Sequence, residues 1–331
     1  MGLVDDESIF DQDKKMLSRV EELSQLGIKG KPLERCVERL GINLSDRSGD
    51  IQRQVAKEVS DEEFSTILSE FRYAGSVTIN YHVITGISDF KFDEVSNYCR
   101  EKVPSPSEVE GETRTVYFAS DEGYDSRQYL SFGYFDTTTS EDAATGRITN
   151  EFLERRCVAV IRDDIDLIEI RASDSKMAER VVNTIARSLN MGQDDNVYVP
   201  DFHTGFQKEF NGIVDKYTSL KVRLQETKES TVDTISFTSG EDESGERKDV
   251  RDDDRVTKEL DDDGSEITMG YVELDGGASA FHLNRKKGRI SFRRNEQEKK
   301  ISEITEVIHN ALKETGGYQQ LKLNENKFIP E

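Results

Sequence analysis

The sequence predicts an α+β protein: a small N-terminal helical bundle, then a tandem duplication of a mainly antiparallel sheet unit covered by helices. Three observations carry this expectation. Apolar residues recur every three or four positions as far as residue 73, the period of a helix face. At Ser76 the period drops to two, the period of a strand. The elements after Ser76 then run twice in the same order.

The helical part comes first. Met16, Leu17, Val20, Leu23 and Leu26 define one helix face, and Gly27 and Gly30 interrupt it. Pro32 is placed to open a second helix, with Leu33, Cys36, Val37 and Leu40 as its apolar face and Gly41 closing it. Ile51, Val55 and Val59 mark a third. Ser60-Asp61-Glu62-Glu63 has the form of a capping box and opens a fourth, which buries Phe64, Ile67, Leu68 and Phe71.

Val77, Ile79, Tyr81 and Val83 then alternate with Thr78, Asn80 and His82, predicting a half-buried strand. A helix over 90–102 ends at Pro104 and Pro106. Strands are expected at 114–120, 128–136, 148–153, 157–162 and 167–171, with a loop at 137–147. Asp174 to Asn190 reads as an amphipathic helix. The second pass runs through a strand at Val197 and Val199, a helix over 206–216, and strands at 220–224 and 231–238. Strands at 267–274, 280–283 and 289–293 and a helix over 295–313 complete it. Residues aligned at offsets of about 120 include Val77 with Val197, Val95 with Val214, Ile148 with Ile267, Ile168 with Ile290, and Ala178 with Ile301. That spacing is too long for a solenoid repeat of roughly 20–50 residues. The expected domains are 1–75, 76–194 and 195–331.

Composition narrows the function classes. The chain has 331 residues, 67 acidic against 45 basic, and a net charge of -22. No apolar run approaches the ~18 residues a membrane helix needs. The segment Met1–Phe10 carries Asp5, Asp6 and Glu7 and does not read as a secretory leader. Cys36, Cys99 and Cys157 are too few for a disulfide scaffold and fall on apolar faces, so they are expected to be buried packing residues. A cytoplasmic protein is expected, without a membrane partner. The spread acidity fits a halophilic archaeon, because molar salt screens self-repulsion; an ordinary acidic protein with one acidic loop is the alternative. The densest acidity falls at 239–265, where 12 acids face five bases. That composition reads as a solvated, mobile segment.

The order of elements in 76–190 and 196–313 resembles the TATA-binding-protein-like fold, whose two lobes each carry a strand, a helix, an antiparallel run of strands and a long closing helix. The resemblance is one of element order and implies two β-rich lobes, each with helices. This sequence departs from the family in its longer units, its acidity and the lack of paired Phe wedges at recognisable places. TATA-box recognition is therefore not carried over.

Two constellations could carry chemistry. The first is basic: Arg285, Lys286, Lys287, Arg289, Arg293 and Arg294, with Lys299 and Lys300 following. Such cations contact phosphates, arginine in bidentate fashion, so nucleic acid or another anion is a candidate partner. A match to the acidic 239–265 segment competes with that reading. The second is Asp164, Asp166 and Glu169 beside Arg171, an arrangement like the carboxylate set of metal-dependent nucleases. Arg171 stands where such sites use Lys, and a guanidinium stays protonated. His82, His203, His282 and His309 have no zinc spacing, and no Gly-rich phosphate loop is present. No cofactor is expected. Among the aromatics at 117–135, Tyr129 and Tyr134 are expected to face outward. The leading reading is a non-enzymatic binding or adaptor protein, recruiting a protein partner through the N-terminal helical domain and using the basic 285–300 hairpin for nucleic acid or an acidic partner. A metal-dependent nuclease-like enzyme and a structural subunit of an intracellular assembly are the alternatives.

Overall fold

The computed structural model describes residues 6–45, 50–74, 77–124, 126–141, 148–162, 165–189, 197–200, 202, 204–224, 234–241, 245, 247–260, 266–274, 279–284, 288–292, 296–315 and 318–320. The chain opens with helices α1 (Asp6–Gln25), α2 (Lys31–Arg39), α3 (Ile51–Glu58) and α4 (Asp61–Arg72). The Ser60 hydroxyl accepts from the Glu63 amide at 3.2 Å, and the Glu63 carboxylate accepts from the Ser60 amide at 2.8 Å, so the expected capping box is present. Leu23, Ile28, Leu33, Cys36, Val55, Ile67 and Phe71 close a core of their own. Leu17 stands outside it, 63% exposed.

The sheet follows, with every strand pairing antiparallel. Its first half is β1 (Thr78–Ile84), α5 (Phe92–Lys102), β2 (Tyr117–Tyr124), β3 (Arg127–Glu141), β4 (Ile148–Arg162), β5 (Leu167–Arg171) and α6 (Ser175–Ser188). Its second half is β6 (Val197–Pro200), α7 (Thr204–Ile213), β7 (Lys216–Arg223), β8 (Thr234–Thr238), α8 (Asp254–Leu260), β9 (Glu266–Leu274), β10 (Ser279–Asn284), β11 (Arg289–Phe292) and α9 (Glu298–Thr315); β12 (Tyr318–Gln320) pairs with β6. Across the sheet the order is β2-β3-β4-β5-β1-β11-β10-β9-β7-β8. β5 and β11 flank β1, and each half steps outward from it through successive antiparallel neighbours.

The two halves share β1. It pairs β11 through Thr78–Asn80 and β6 through Val83–Ile84, both along one edge. β6 therefore continues the line of β11, and the offset that matched Val77 to Val197 does not reproduce a second first strand. The matches of Ile168 with Ile290 and Ala178 with Ile301 do fall on corresponding elements, β5 with β11 and α6 with α9. Ile148 and Ile267 do not correspond, because β9 takes the place of β3 and β10 that of β4.

Strand alternation assigns the faces. Tyr81 lies opposite Glu169, and His82 opposite Ile168. Ile79, Tyr81, Val83, Leu167, Ile290 and Phe292 join the core under α7 and α9. Ile168, Ile170 and Ile84 join the core under α5 and α6. The two helix layers thus lie on opposite faces of one sheet, here named the α9 face and the α6 face. β1 is consequently buried on both sides from Ile79 to Ile84, rather than half-buried as its alternation suggests.

Three further expectations change. β4 is one strand of 15 residues, and β3 runs into the expected 137–147 loop as far as Glu141. The described part of 239–265 is anchored: Val250 and Val256 enter the core. The Arg251 guanidinium sits over the Tyr217 ring at 5.1 Å and donates to the Asn211, Val214 and Asp215 carbonyls. No described helix is long and apolar enough to cross a membrane.

Candidate functional site

Helices α5 and α6 cover the α6 face only in the first half. In the second half no described helix covers it, and the strand registers lay out its side chains in transverse rows. One row runs Thr78, Ser291, His282, Tyr271, Ser219, Thr238. The next runs Asn80, Arg289, Asn284, then, across position 269 of β9, Lys221 and Ser236. Neither row holds a carboxylate, in a chain where 67 of 331 residues are acidic.

The rows are tied together locally. Thr78 and Ser291 share a hydroxyl–hydroxyl hydrogen bond of 3.0 Å. Asn80, buried, donates its amide to the Ile170 and Ala172 carbonyls. Tyr271 and His282 meet edge to face at 5.7 Å. Arg289 is half-buried, Lys221 exposed. Burial, then the positive charge of Arg289, lowers the His282 pKa below its usual value. Glu273, in the row beyond, is held by Lys216 at 3.2 Å.

Of the basic candidates, Arg289 lies in the described residues and sits on this face. Arg285, Lys286, Lys287, Arg293 and Arg294 lie outside them. Two described acids of the 239–265 segment pair with arginines of the same segment: Asp249 with Arg251 at 2.5 Å, and Asp253 with Arg255 at 2.7 Å.

The carboxylate constellation is a different structure from the one its spacing suggests. Asp164 lies outside the described residues. Asp166 accepts from the Gly86 amide at 3.1 Å. Glu169 is fully buried on the α9 face, with one oxygen on Arg162 (2.9 Å) and the other on Arg171 (2.6 Å). Burial alone would raise its pKa, but the charges of Arg171 and Arg162 outweigh it and hold it at about 2. Both oxygens of this carboxylate are engaged by guanidinium groups, and no group of three or more metal-binding side chains occurs among the described residues.

Glu169 instead belongs to a buried ionic cluster the sequence reading missed. Arg171 makes a bidentate pair with Glu298 of α9 (2.6 and 2.7 Å) and donates to the Tyr73 carbonyl at 2.7 Å. Arg127 donates to Ser302, and Tyr81 bonds Thr305 at 3.0 Å. The ring of Tyr73, just past α4, stacks on Tyr129 at 4.6 Å. Arg39 binds Glu70 at 2.9 Å and Gln297 at 2.8 Å. The cluster therefore fastens the helical bundle, the sheet and α9 to each other. Tyr129 and Tyr134, expected outside, are 2% and 7% exposed.

No protein-family model matches the chain, and no curated protein matches it. Function must then be read from surfaces. The thiols do not point to nucleophilic chemistry: burial pushes Cys36 and Cys157 up to about 12 and Cys99 to about 11, and a thiol held protonated is a poor nucleophile. Thr78, Ser219, Lys221, Tyr271 and Ser291 escaped the sequence reading because only pairing register brings them onto one face. Period-two polar alternation in β7 and β10 was the available signal.

Proposed function

We propose that the chain is a non-enzymatic binding or adaptor protein that takes nucleic acid on the uncovered half of the α6 face. One observation carries this reading: two rows of hydrogen-bonding side chains, with Arg289 and Lys221 among them, lack any carboxylate. Phosphates are bound by such cations and hydroxyls, and nearby carboxylates would repel them. Arg285, Lys286, Lys287, Arg293 and Arg294 flank β11 in sequence. Exposed Leu17 on α1 suits recruitment of a protein partner by the N-terminal helices. Three free, buried cysteines suit a reducing cytoplasm, and the acidity suits a salt-rich one, as in a halophilic archaeon.

Fluorescence anisotropy of labelled single- and double-stranded oligonucleotides, titrated at several salt concentrations, tests the reading. Binding should weaken with salt, and Arg289→Glu and Lys221→Glu should each lower the log–log salt slope by about 1. An anion beside His282 favours its protonated form, so affinity should rise as pH falls below about 6.5. No binding at low salt, or binding that both reversals leave unchanged, would refute it. Binding of acidic peptides in place of oligonucleotides would move the assignment to a protein partner.

A further inference from the structure

The two rows of the open α6 face offer different chemistry. One holds the cations, Arg289 on β11 and Lys221 on β7. Three strand spacings separate them, roughly 14 Å. The other holds the ring pair of Tyr271 and His282, flanked by Ser291 and Ser219. Along each strand the rows lie two residues apart, about 7 Å. Lys221 is the diagonal neighbour of Tyr271, since Ser219 lies directly opposite that ring. Tyr271 is half-buried while its hydroxyl is buried, so what it shows to solvent is ring. His282 braces that ring edge to face at 5.7 Å.

We propose, building on the nucleic-acid reading above, that the nucleic acid taken on this face is single-stranded, with its backbone along the Arg289–Lys221 row and a base stacked on Tyr271. The step from one row to the next matches the reach of a nucleotide from phosphate to base. Single-strand binders combine these same two parts, a cationic track for the backbone and an aromatic ring for a base, and every base has a face to stack.

A duplex fits the face less well. Its bases are reached through grooves about 12 and 6 Å wide. The open face spans β11, β10, β9, β7 and β8, about 19 Å across. Proteins that lay a sheet in the minor groove pry it open with apolar wedges. Neither row includes such a wedge among its described side chains. A duplex would engage the cations and leave the Tyr271 ring idle, whereas a single strand engages both.

Anisotropy titrations of the full chain at one low salt concentration compare three probes: an oligothymidine of about 12 nucleotides, an abasic strand of equal length and a duplex of equal length. The oligothymidine should bind at least about fivefold tighter than the abasic strand, and tighter than the duplex. Tyr271→Leu keeps apolar bulk and should erase the preference for bases. Arg289→Glu should weaken the oligothymidine and the abasic strand alike. Circular dichroism checks that both variants fold, and the probe comparison on the wild type stands without them. Equal affinity for the oligothymidine and the abasic strand overturns the single-strand assignment and leaves the nucleic-acid reading in place. A duplex bound as tightly as the single strand, or a base preference that survives Tyr271→Leu, does the same. Failure of all three probes to bind overturns both.

Discussion

Glu298→Ala should be among the most damaging single substitutions in the chain. Glu298 is 2% exposed, and both its oxygens are taken by Arg171, at 2.6 and 2.7 Å, with Arg127 at 3.5 Å. The buried cluster holds three arginines (127, 162 and 171) against two glutamates (169 and 298). Deleting Glu298 leaves one carboxylate among three guanidinium groups that cannot deprotonate. Breaking a buried pair by removing one partner costs about 3–5 kcal/mol, since the remaining charge stays desolvated. Against a typical total of roughly 5–15 kcal/mol, that is a third or more of the stability. Glu306→Ala is the control. Its carboxylate lies 3.5 Å from Arg162 but is 61% exposed, so its loss should cost under about 1 kcal/mol. Urea unfolding followed by circular dichroism gives both values. Amide exchange should also quicken in α4, since Arg171 holds the Tyr73 carbonyl. If Glu298→Ala falls within about 1 kcal/mol of wild type, or matches Glu306→Ala, the cluster does not fasten the bundle to the sheet and the reasoning fails.

Other consequences are open to direct measurement. Burial holds His82 near pKa 4, below its unfolded value of about 6.5. Its contribution is therefore complete above pH 6.5 and is lost toward pH 4, so His82→Leu should flatten the stability–pH profile in that window by up to about 3 kcal/mol. Glu169, held at about 2, loses its contribution lower, between its unfolded value and pH 2. A Cβ at Gly133 would overlap the Tyr117 ring; Gly133→Ala should cost about 1–3 kcal/mol by thermal unfolding, and far less when Tyr117→Ala opens the space. Cys36, Cys99 and Cys157 should not react with a thiol reagent in the native protein, and all three should do so in denaturant; rapid native labelling would contradict their burial.

What the sequence revealed follows from how local each signal is. The Ser60 capping box and the helix it opens depend on residues four apart, and both were readable. The closing helices α6 and α9 were readable because their apolar faces repeat at helical spacing. β4 was not readable as one strand. Glu154, Arg155 and Arg156 interrupt its apolar alternation because that stretch leaves the core as a ribbon, where nothing enforces alternation. Glu169 and Arg171 were noticed for the right geometric reason, since residues two apart on a strand share a face. The same geometry that suggested a metal site makes them an ion pair. The third and fourth members, Arg162 and Glu298, come from a different strand and a helix 127 residues beyond Arg171, and no local pattern announces them.

The placement of the helix layers gives the candidate surfaces their meaning. A sheet with both layers on one side would expose its whole opposite face. Here the layers lie on opposite faces, so the α6 face is left open in the second half, while in the first half α9 and Tyr73 close the α9 face over Tyr129, Arg162, Glu169 and Arg171. In the second half the open side is the acid-free pair of rows around Arg289 and His282. In the first half what stays exposed of the α9 face is the outer part of the β3–β4 pair, from Phe152 to Arg156. A partner on the rows would therefore meet the sheet without displacing α7 or α9, whose apolar faces pack against its other side.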